Sequence, residues 1–293
     1  MTRARRILLW VVLPLLAVLV MLPLAGTGLL LSEAGSRWVL ERVPGLSLER
    51  YRGALLGQWQ AERLQWQDDA TLVVLEQPLM ELDAACLWRG MLCLERLQIQ
   101  QVALTLPEST DEPDEPATDV ELPDISLPVS LRIGQLAIGE LLLNDEPLLN
   151  DLNLAASAAG NELVVGNLSL AYDNYHAVLN GRLQLDGKWP LELVLDAGGD
   201  LPELGQQKIS IRLDGELQDE VRLDGALQGV LSGSLQARVQ PLLAALPASL
   251  ELVLEQLELG GALPEDMVVQ NLHLSADGSL EQGFAWRLDS ALQ

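Results

Sequence analysis

The stretch Ile209-Ser210-Ile211-Arg212-Leu213-Asp214-Gly215-Glu216-Leu217-Gln218 alternates aliphatic and polar residues for most of its length. A β-strand sends successive side chains to opposite faces, so this period of two predicts a strand with one aliphatic and one polar face. Arg212-Leu213-Asp214-Gly215-Glu216-Leu217-Gln218 recurs as Arg222-Leu223-Asp224-Gly225-Ala226-Leu227-Gln228. Weak repetition of this kind is expected when similar strands follow one another.

The alternation extends in both directions. Toward the N-terminus it marks Leu131/Ile133, Leu136/Ile138, Leu141/Leu143, Leu152/Leu154, Leu183/Leu185 and Leu191/Leu193/Leu195. Toward the C-terminus it marks Val221/Leu223, Leu250/Leu252/Leu254, Leu257/Leu259 and Leu272/Leu274. Between these pairs lie Asn180-Gly181, Asp-Gly at 186, 214, 224 and 277, and Gly-Gly at 198 and 260. These residue types tolerate the positive φ of tight hairpin turns and predict turns there. One face of every strand is thus Leu-rich, and such a face must be covered by a second sheet, by helices or by an apolar ligand. Helical patterning is scarce in this region; Leu242 to Leu250, interrupted by Pro247, is the best segment. The alternatives are a self-covered sandwich and a curved sheet whose apolar face lines a groove. The groove candidates are Leu183, Leu185, Leu191, Leu193, Leu195, Ile209, Ile211, Leu213, Leu250, Leu252 and Leu254.

Nearer the N-terminus the strand pattern is less regular. Gln58 to Trp66 alternates imperfectly, Leu72 to Leu75 is continuously apolar, and Leu79 to Cys86 leads into Cys86-Leu87-Trp88-Arg89-Gly90-Met91-Leu92-Cys93. Leu94, Leu97, Ile99, Val102, Leu104 and Leu106 form the return strand, and the parity change along it predicts a bulge. Two cysteines flanking a turn in an exported chain favour a local disulfide between Cys86 and Cys93 over free thiols. Two thiolates without a nearby His make a poor zinc site, which wants four ligands. Glu108 to Asp124 holds eight acidic residues, no Lys or Arg, and three prolines. It reads as an extended solvated linker; a Ca²⁺ loop would need a glycine-punctuated cage.

Before the strands, Ile7 through Ser32 carry no charge and follow Arg3, Arg5 and Arg6. A helix of that length crosses the ~30 Å hydrocarbon core. The basic flank keeps the N-terminus cytoplasmic and exports the remainder. The best cleavage site, Pro23-Leu24-Ala25, is poor, which favours an uncleaved signal anchor. Ser32 can N-cap a short amphipathic helix ended by Pro44-Gly45, the alternative being a plain connector. The expected organisation is a cytoplasmic tip and anchor over 1–32, a helix over 33–45, a first β segment over 46–106, an acidic linker over 107–127 and a further, incomplete β segment over 128–293.

Chemistry is not apparent in the residues. The formal net charge is −24, which disfavours nucleic acid and anionic surfaces as partners. The two histidines, His176 and His273, lie far apart, and Gly181 to Lys188 has the wrong spacing for a phosphate loop. No catalytic set, metal site or cofactor is expected.

Several segments occur together in a familiar order. They are the anchor, Trp38 with Pro44-Gly45-Leu46, Gly57-Gln58-Trp59, the Cys86-Leu87-Trp88 turn with Cys93, and Asn180-Gly181 followed by Leu185-Asp186-Gly187-Lys188-Trp189-Pro190-Leu191. Over nearly its whole length the chain resembles the N-terminal portion of the TamB family, inner-membrane subunits of translocation and assembly modules in the AsmA-like group. The resemblance implies an all-β protein: a transmembrane helix followed by an elongated, twisted, U-shaped (taco-like) β-sheet with an apolar groove. It implies a single-pass protein of the bacterial inner membrane, held by residues 7–31, with its bulk in the periplasm. It also implies movement of phospholipid, through its acyl chains, toward the outer membrane, or assembly of outer-membrane proteins and autotransporters with an Omp85-type (TamA-like) partner. Family members are much longer, so the chain is expected to be an N-terminal fragment or a truncated reading frame, with the partner-binding region missing.

Overall fold

The computed structural model describes residues 28–68, 71–106, 120–201, 205–257 and 269–292. The expected anchor falls almost wholly outside these residues, as do most of the acidic linker and Gly260. Among the described residues no helix is long and apolar enough to cross a membrane.

Among the described residues a helix, α1 (Glu33–Leu40), precedes a single sheet of eighteen strands. The first strands are short: β1 (Leu46–Glu49), β2 (Arg52–Gly53), β3 (Gln58–Gln60), β4 (Arg63–Gln67), β5 (Leu72–Glu76) and β6 (Leu79–Asp83). They form two ribbons, β1-β4-β5 and β2-β3-β6. Both ribbons add to one edge of the long strand β7 (Met91–Thr105): β6 along Cys93 to Gln98, and β5 along Gln101 to Thr105. On its other edge β7 pairs in parallel with β8 (Leu127–Leu143).

From β8 onward each strand is antiparallel to the one before it. The series is β9 (Glu146–Gly160), β10 (Glu162–Tyr172), β11 (Tyr175–Gln184), β12 (Pro190–Leu201), β13 (Gly205–Glu216), β14 (Val221–Gly229), β15 (Leu231–Val239), β16 (Ala248–Leu257), β17 (Val269–Ser279) and β18 (Gly283–Leu292). The parallel join sends the connection between β7 and β8 from one end of the sheet to the other. Its last residues run along the strand ends: Val120 N–H donates to Leu242 O (2.8 Å), Gln218 Nε2 to Leu122 O (2.9 Å), and Ile125 N–H to Leu185 O (2.7 Å).

The parity change in β7 is a register shift where Glu81 pairs with Arg96 but Leu82 with Leu94. Shifts at a matching level separate Ile133 from Leu136 on β8 and Val165 from Leu168 on β10. A bulge bends its strand and raises local twist, so shifts on three strands at one level bend the sheet along a line.

The turn expectations need correction. Asp186-Gly187 does turn the chain between β11 and β12, but Asn180-Gly181 and Gly198-Gly199 lie inside strands. So do Asp214-Gly215, Asp224-Gly225 and Asp277-Gly278. The glycines in question serve close approach instead. A Cβ at Gly181 would stand 2.1 Å from Glu192 O, and one at Gly215 2.2 Å from Glu220 O. Gly181 (144°) and Gly215 (137°) also hold positive φ within their strands, while the β8–β9 turn takes it at Asn144 (51°) and Asp145 (68°).

The best-packed part of the molecule is small. Tyr51, Trp59 and Ala61 are buried, with Leu40 of α1, Leu48, Leu55, Leu64 and Met80 packed against them. Ser32 caps α1 by accepting from Gly35 N–H (3.1 Å). The Ser36 hydroxyl, fully buried, donates to Leu30 O (3.0 Å) and accepts from Leu55 N–H (2.9 Å), fastening α1 to the turn before β3. Burial raises the Tyr51 pKa, against a smaller opposing effect of Ser36, and the nearby Glu33 charge adds to the rise.

Candidate functional site

Residues directly opposite in a ladder share a face, so the registers trace which side chains form continuous surfaces. One row crosses the sheet from β3 to β18: Trp59, Met80, Leu97, Leu136, Leu154, Leu168, Leu179, Leu195, Ile211, Gly225, Leu235, Leu252, Leu274 and Leu288. Every member but Gly225 is apolar. A second row on the same face contains Leu94, Ile133, Ala156, Val165, Gly181, Leu193, Leu213, Leu223, Ala237, Leu250, Ala276 and Trp286. These rows lie on either side of the bulge line on β7, β8 and β10, where the extra residue keeps both on one face.

The structure brings ten of the eleven candidate residues onto this surface. Leu183 opposes Leu191, Leu193 opposes Leu213, and Leu195 opposes Ile211. Leu250 and Leu252 join the two rows from β16. Ile209 connects through Leu227 and Gly233 to Leu254 in a third row. Leu185 stands apart, past the end of β11, where its N–H donates to Asn161 O. Sequence reading did not include Met80, Leu97, Leu136, Leu154, Leu168, Leu179, Leu235, Leu274 and Leu288 among the candidates. Each sits at an aliphatic position of an alternating strand, but only the register shows that they align.

Burial differs sharply between the two faces. Leu193, Leu195, Ile209, Ile211, Leu213, Leu250 and Leu252 are half-buried, whereas Glu192, Lys208, Arg212, Arg222, Arg238 and Glu251 on the other face are exposed. Half-burial without a covering layer is what neighbouring side chains achieve on the inside of a curl. Glycines on the apolar side, at 181, 215, 225 and 233, relieve the crowding that such a curl creates. Among the described residues, aliphatic side chains there neither close into a sandwich nor face solvent freely. Near one end of this surface, Leu149, Leu170, Tyr172, Tyr175, Ala197 and Ile209 line an apolar cavity of about 520 Å³. Gly199 makes room for it, because a Cβ there would meet the Tyr175 ring at 2.5 Å.

The polar face holds its own clefts, one of about 590 Å³ among Arg222, Asp224, Arg238, Glu251, Asp277 and Arg287. Several cations on this face are matched across strands: Arg63 with Glu76 (3.4 Å), Arg132 with Glu95 (3.3 Å) and Arg182 with Glu192 (2.7 Å). His273 Nε2 lies 2.9 Å from Glu251 Oε1. These exposed pairs fix register and specificity more than stability. Lys188, bonded to Asp219 (3.0 Å) and Glu216 (3.1 Å), has a pKa raised by those two carboxylates, Asp219 foremost.

Cys86 and Cys93 are joined by a disulfide with Cα atoms 5.9 Å apart. Cys86 lies within a 3₁₀ turn, Ala84–Arg89, capped by Asp83 and closed by Gly90 in the left-handed region (φ 70°). Cys86, Cys93 and Glu95 form the one grouping of three potential ligand residues among the described residues. Both sulfurs are used in the disulfide and Glu95 is engaged by Arg132, so the set does not suit a metal.

A family model described as TamB, N-terminal domain, matches residues 19–144 and 117–293. No solved structure matches the chain.

Proposed function

The chain belongs to the family of TamB N-terminal domains, and from that premise we propose a non-enzymatic, inner-membrane-anchored conduit along which phospholipid moves through the periplasm toward the outer membrane. The observation that carries this reading is the apolar row from Leu97 to Leu288, interrupted only by Gly225, on a face that no layer covers among the described residues. Acyl chains are stabilised by about 0.8 kcal/mol for each methylene taken out of water, and a row without a polar side chain presents no barrier between one strand and the next. The polar face keeps the outside of the sheet wet. The working surface is then Leu183, Leu191, Leu193, Leu195, Ile209, Ile211, Leu213, Leu250, Leu252 and Leu254 with the aligned leucines of the earlier strands.

The test places a photo-crosslinking residue at Leu193, Leu195 or Leu252, and at Ser210, Arg212 or Gln236 on the opposite face, in the full chain in its membrane. Phospholipid adducts at the first set and not the second are expected. Equal labelling of both sets, or none at the first, would sink the conduit. A charge at Leu195 should also abolish adducts on strands beyond β12.

A second reading is a scaffold for assembling outer-membrane proteins and autotransporters with an Omp85-type partner. Among the described residues β1 pairs with β4 on one edge and has no partner strand on the other. Such an edge can accept a client strand by augmentation. Crosslinks from the exposed Ser47 and Glu49 to nascent outer-membrane proteins would support it; their absence in cells secreting an autotransporter would count against it.

A further inference from the structure

One end of the sheet carries exposed apolar residues outside any packed core: Leu87 and Trp88 beyond the strands, and Leu92, whose pairing with Leu131 puts it at the margin of the apolar face. Trp88 is 88% exposed, the most exposed of the large apolar side chains among the described residues, and Leu87 and Leu92 beside it are 40% and 38% exposed. All three belong to the turn that the Cys86–Cys93 disulfide closes. A tryptophan held in water on a covalently clamped turn gives up little conformational freedom when it finds an apolar surface.

Backbone contacts locate this turn relative to the N-terminal apolar run. Leu56 N–H donates to Leu30 O (3.1 Å), and in the same short turn Gly57 O accepts from Leu82 N–H (2.8 Å). Leu82 leads into Asp83, which pairs with Cys93, and Met91 pairs with Ser130 at the start of β8. The point where the chain leaves residues 7–31, the clamped turn and the first residues of β8 therefore lie side by side at one end of the sheet. Val129 (48%) and Leu31 (54%) are exposed there too. At the opposite end, by contrast, exposed Tyr172 lines the apolar cavity described above.

We propose that the clamped turn, through Trp88, Leu87 and Leu92 with neighbouring Val129, is a membrane-docking knuckle that inserts into the headgroup layer beside the anchor and fixes how the sheet stands on the bilayer. The inference rests on reading residues 7–31 as the membrane segment. Given that segment, the bilayer surface begins at about Leu31, and the turn reaches the same level. Indole with flanking aliphatics is the side-chain set that concentrates at membrane interfaces, with the ring apolar and its N–H able to reach water or headgroups. Arg89, in the same turn, offers a cation to lipid phosphate in an otherwise acidic chain.

The experiment uses the full chain in bacterial inner membranes with a photo-crosslinking residue at Leu87 or Trp88, which lie in the turn and outside the apolar face. Val18 reports on the membrane segment, and Asp173 and Gln228 are exposed controls at the far end. Phospholipid adducts at 87 and 88 and at 18, with none at 173 or 228, are expected; Trp88→Glu should remove the adduct at 87. Adducts at 18 but not at 87 and 88 would overturn the knuckle and leave the anchor standing. No adduct at 18 would remove the anchor reading and the knuckle with it. Labelling at 173 and 228 equal to that at 88 would also overturn it.

Discussion

Gly181→Ala tests whether the apolar face is held curled by its glycines. The site is the centre of β11, where Gly181 opposes Leu193 in the second row and has φ of +144°. A Cβ there would stand 2.1 Å from Glu192 O and 2.9 Å from Leu193 Cδ2, so the β11–β12 ladder must open. Alanine in a strand ordinarily gains about 0.5–1 kcal/mol over glycine from the unfolded chain. Here that gain is opposed by backbone strain of about 1–3 kcal/mol and overpacking of about 1–3 kcal/mol. The net expectation is a loss of about 1–5 kcal/mol. Thermal unfolding of the purified full chain in detergent reads this as a lower midpoint. Gly57→Ala, where the nearest atom to a Cβ is Ala54 O at 3.8 Å, is the matched control and should leave the midpoint nearly unchanged. Lipid crosslinking at Leu195, one residue pair further along, should fall with Gly181→Ala. If Gly181→Ala is as stable as Gly57→Ala, the close approach across β11 and β12 is not what makes glycine necessary, and the account of the curl fails.

Removing the disulfide by Cys86→Ser with Cys93→Ser frees a loop of about eight residues, for which chain entropy predicts a loss of about 2.5 kcal/mol. Hydrogen exchange should quicken in Leu79–Asp83 and the first residues of β7 and stay unchanged in β12 to β16; a uniform change would contradict a local clamp. Tyr51→Phe is expected to be neutral or slightly stabilising, because its buried hydroxyl, although near Ser36, makes no hydrogen bond of normal length among the described residues, whereas Trp59→Ala in the same cluster should lose about 3–5 kcal/mol. Urea titration compares the two, and a large loss from Tyr51→Phe would show a missed partner. Ser32→Ala removes the cap of α1 and should cost about 1 kcal/mol, seen as faster exchange at Gly35.

Strand identity was readable from alternation alone. Ile209, Ile211 and Leu213, or Leu250, Leu252 and Leu254, declare their faces without any tertiary information. The bulge in β7 was readable too, since Leu94 and Leu97 differ in parity. Turn placement was not. Asp-Gly is a hairpin signal because glycine relieves positive φ, but glycine also relieves crowding, and a curled sheet needs the second use on most strands. Gly215, Gly225 and Gly278 therefore look like turns and are not. Alignment of rows was equally hidden. Leu168 and Leu179 meet only because Val165 to Leu168 spans one residue more than its partners, and nothing in either strand states how far its neighbour is shifted. The parallel join of β7 to β8 has no local signature; the acidic, proline-rich run between them is compatible with any path.

That join sets an order of assembly. From β9 to β18 every strand pairs antiparallel with the one before it, so those ladders close over connections shorter than the one before β8 and form without β7. β7 is different: β8 lands on it in parallel, across about twenty residues that include the acidic stretch. The topology therefore predicts pairing that is fast within the β8–β18 series and slower at the docking of Leu127–Leu143 on Met91–Thr105.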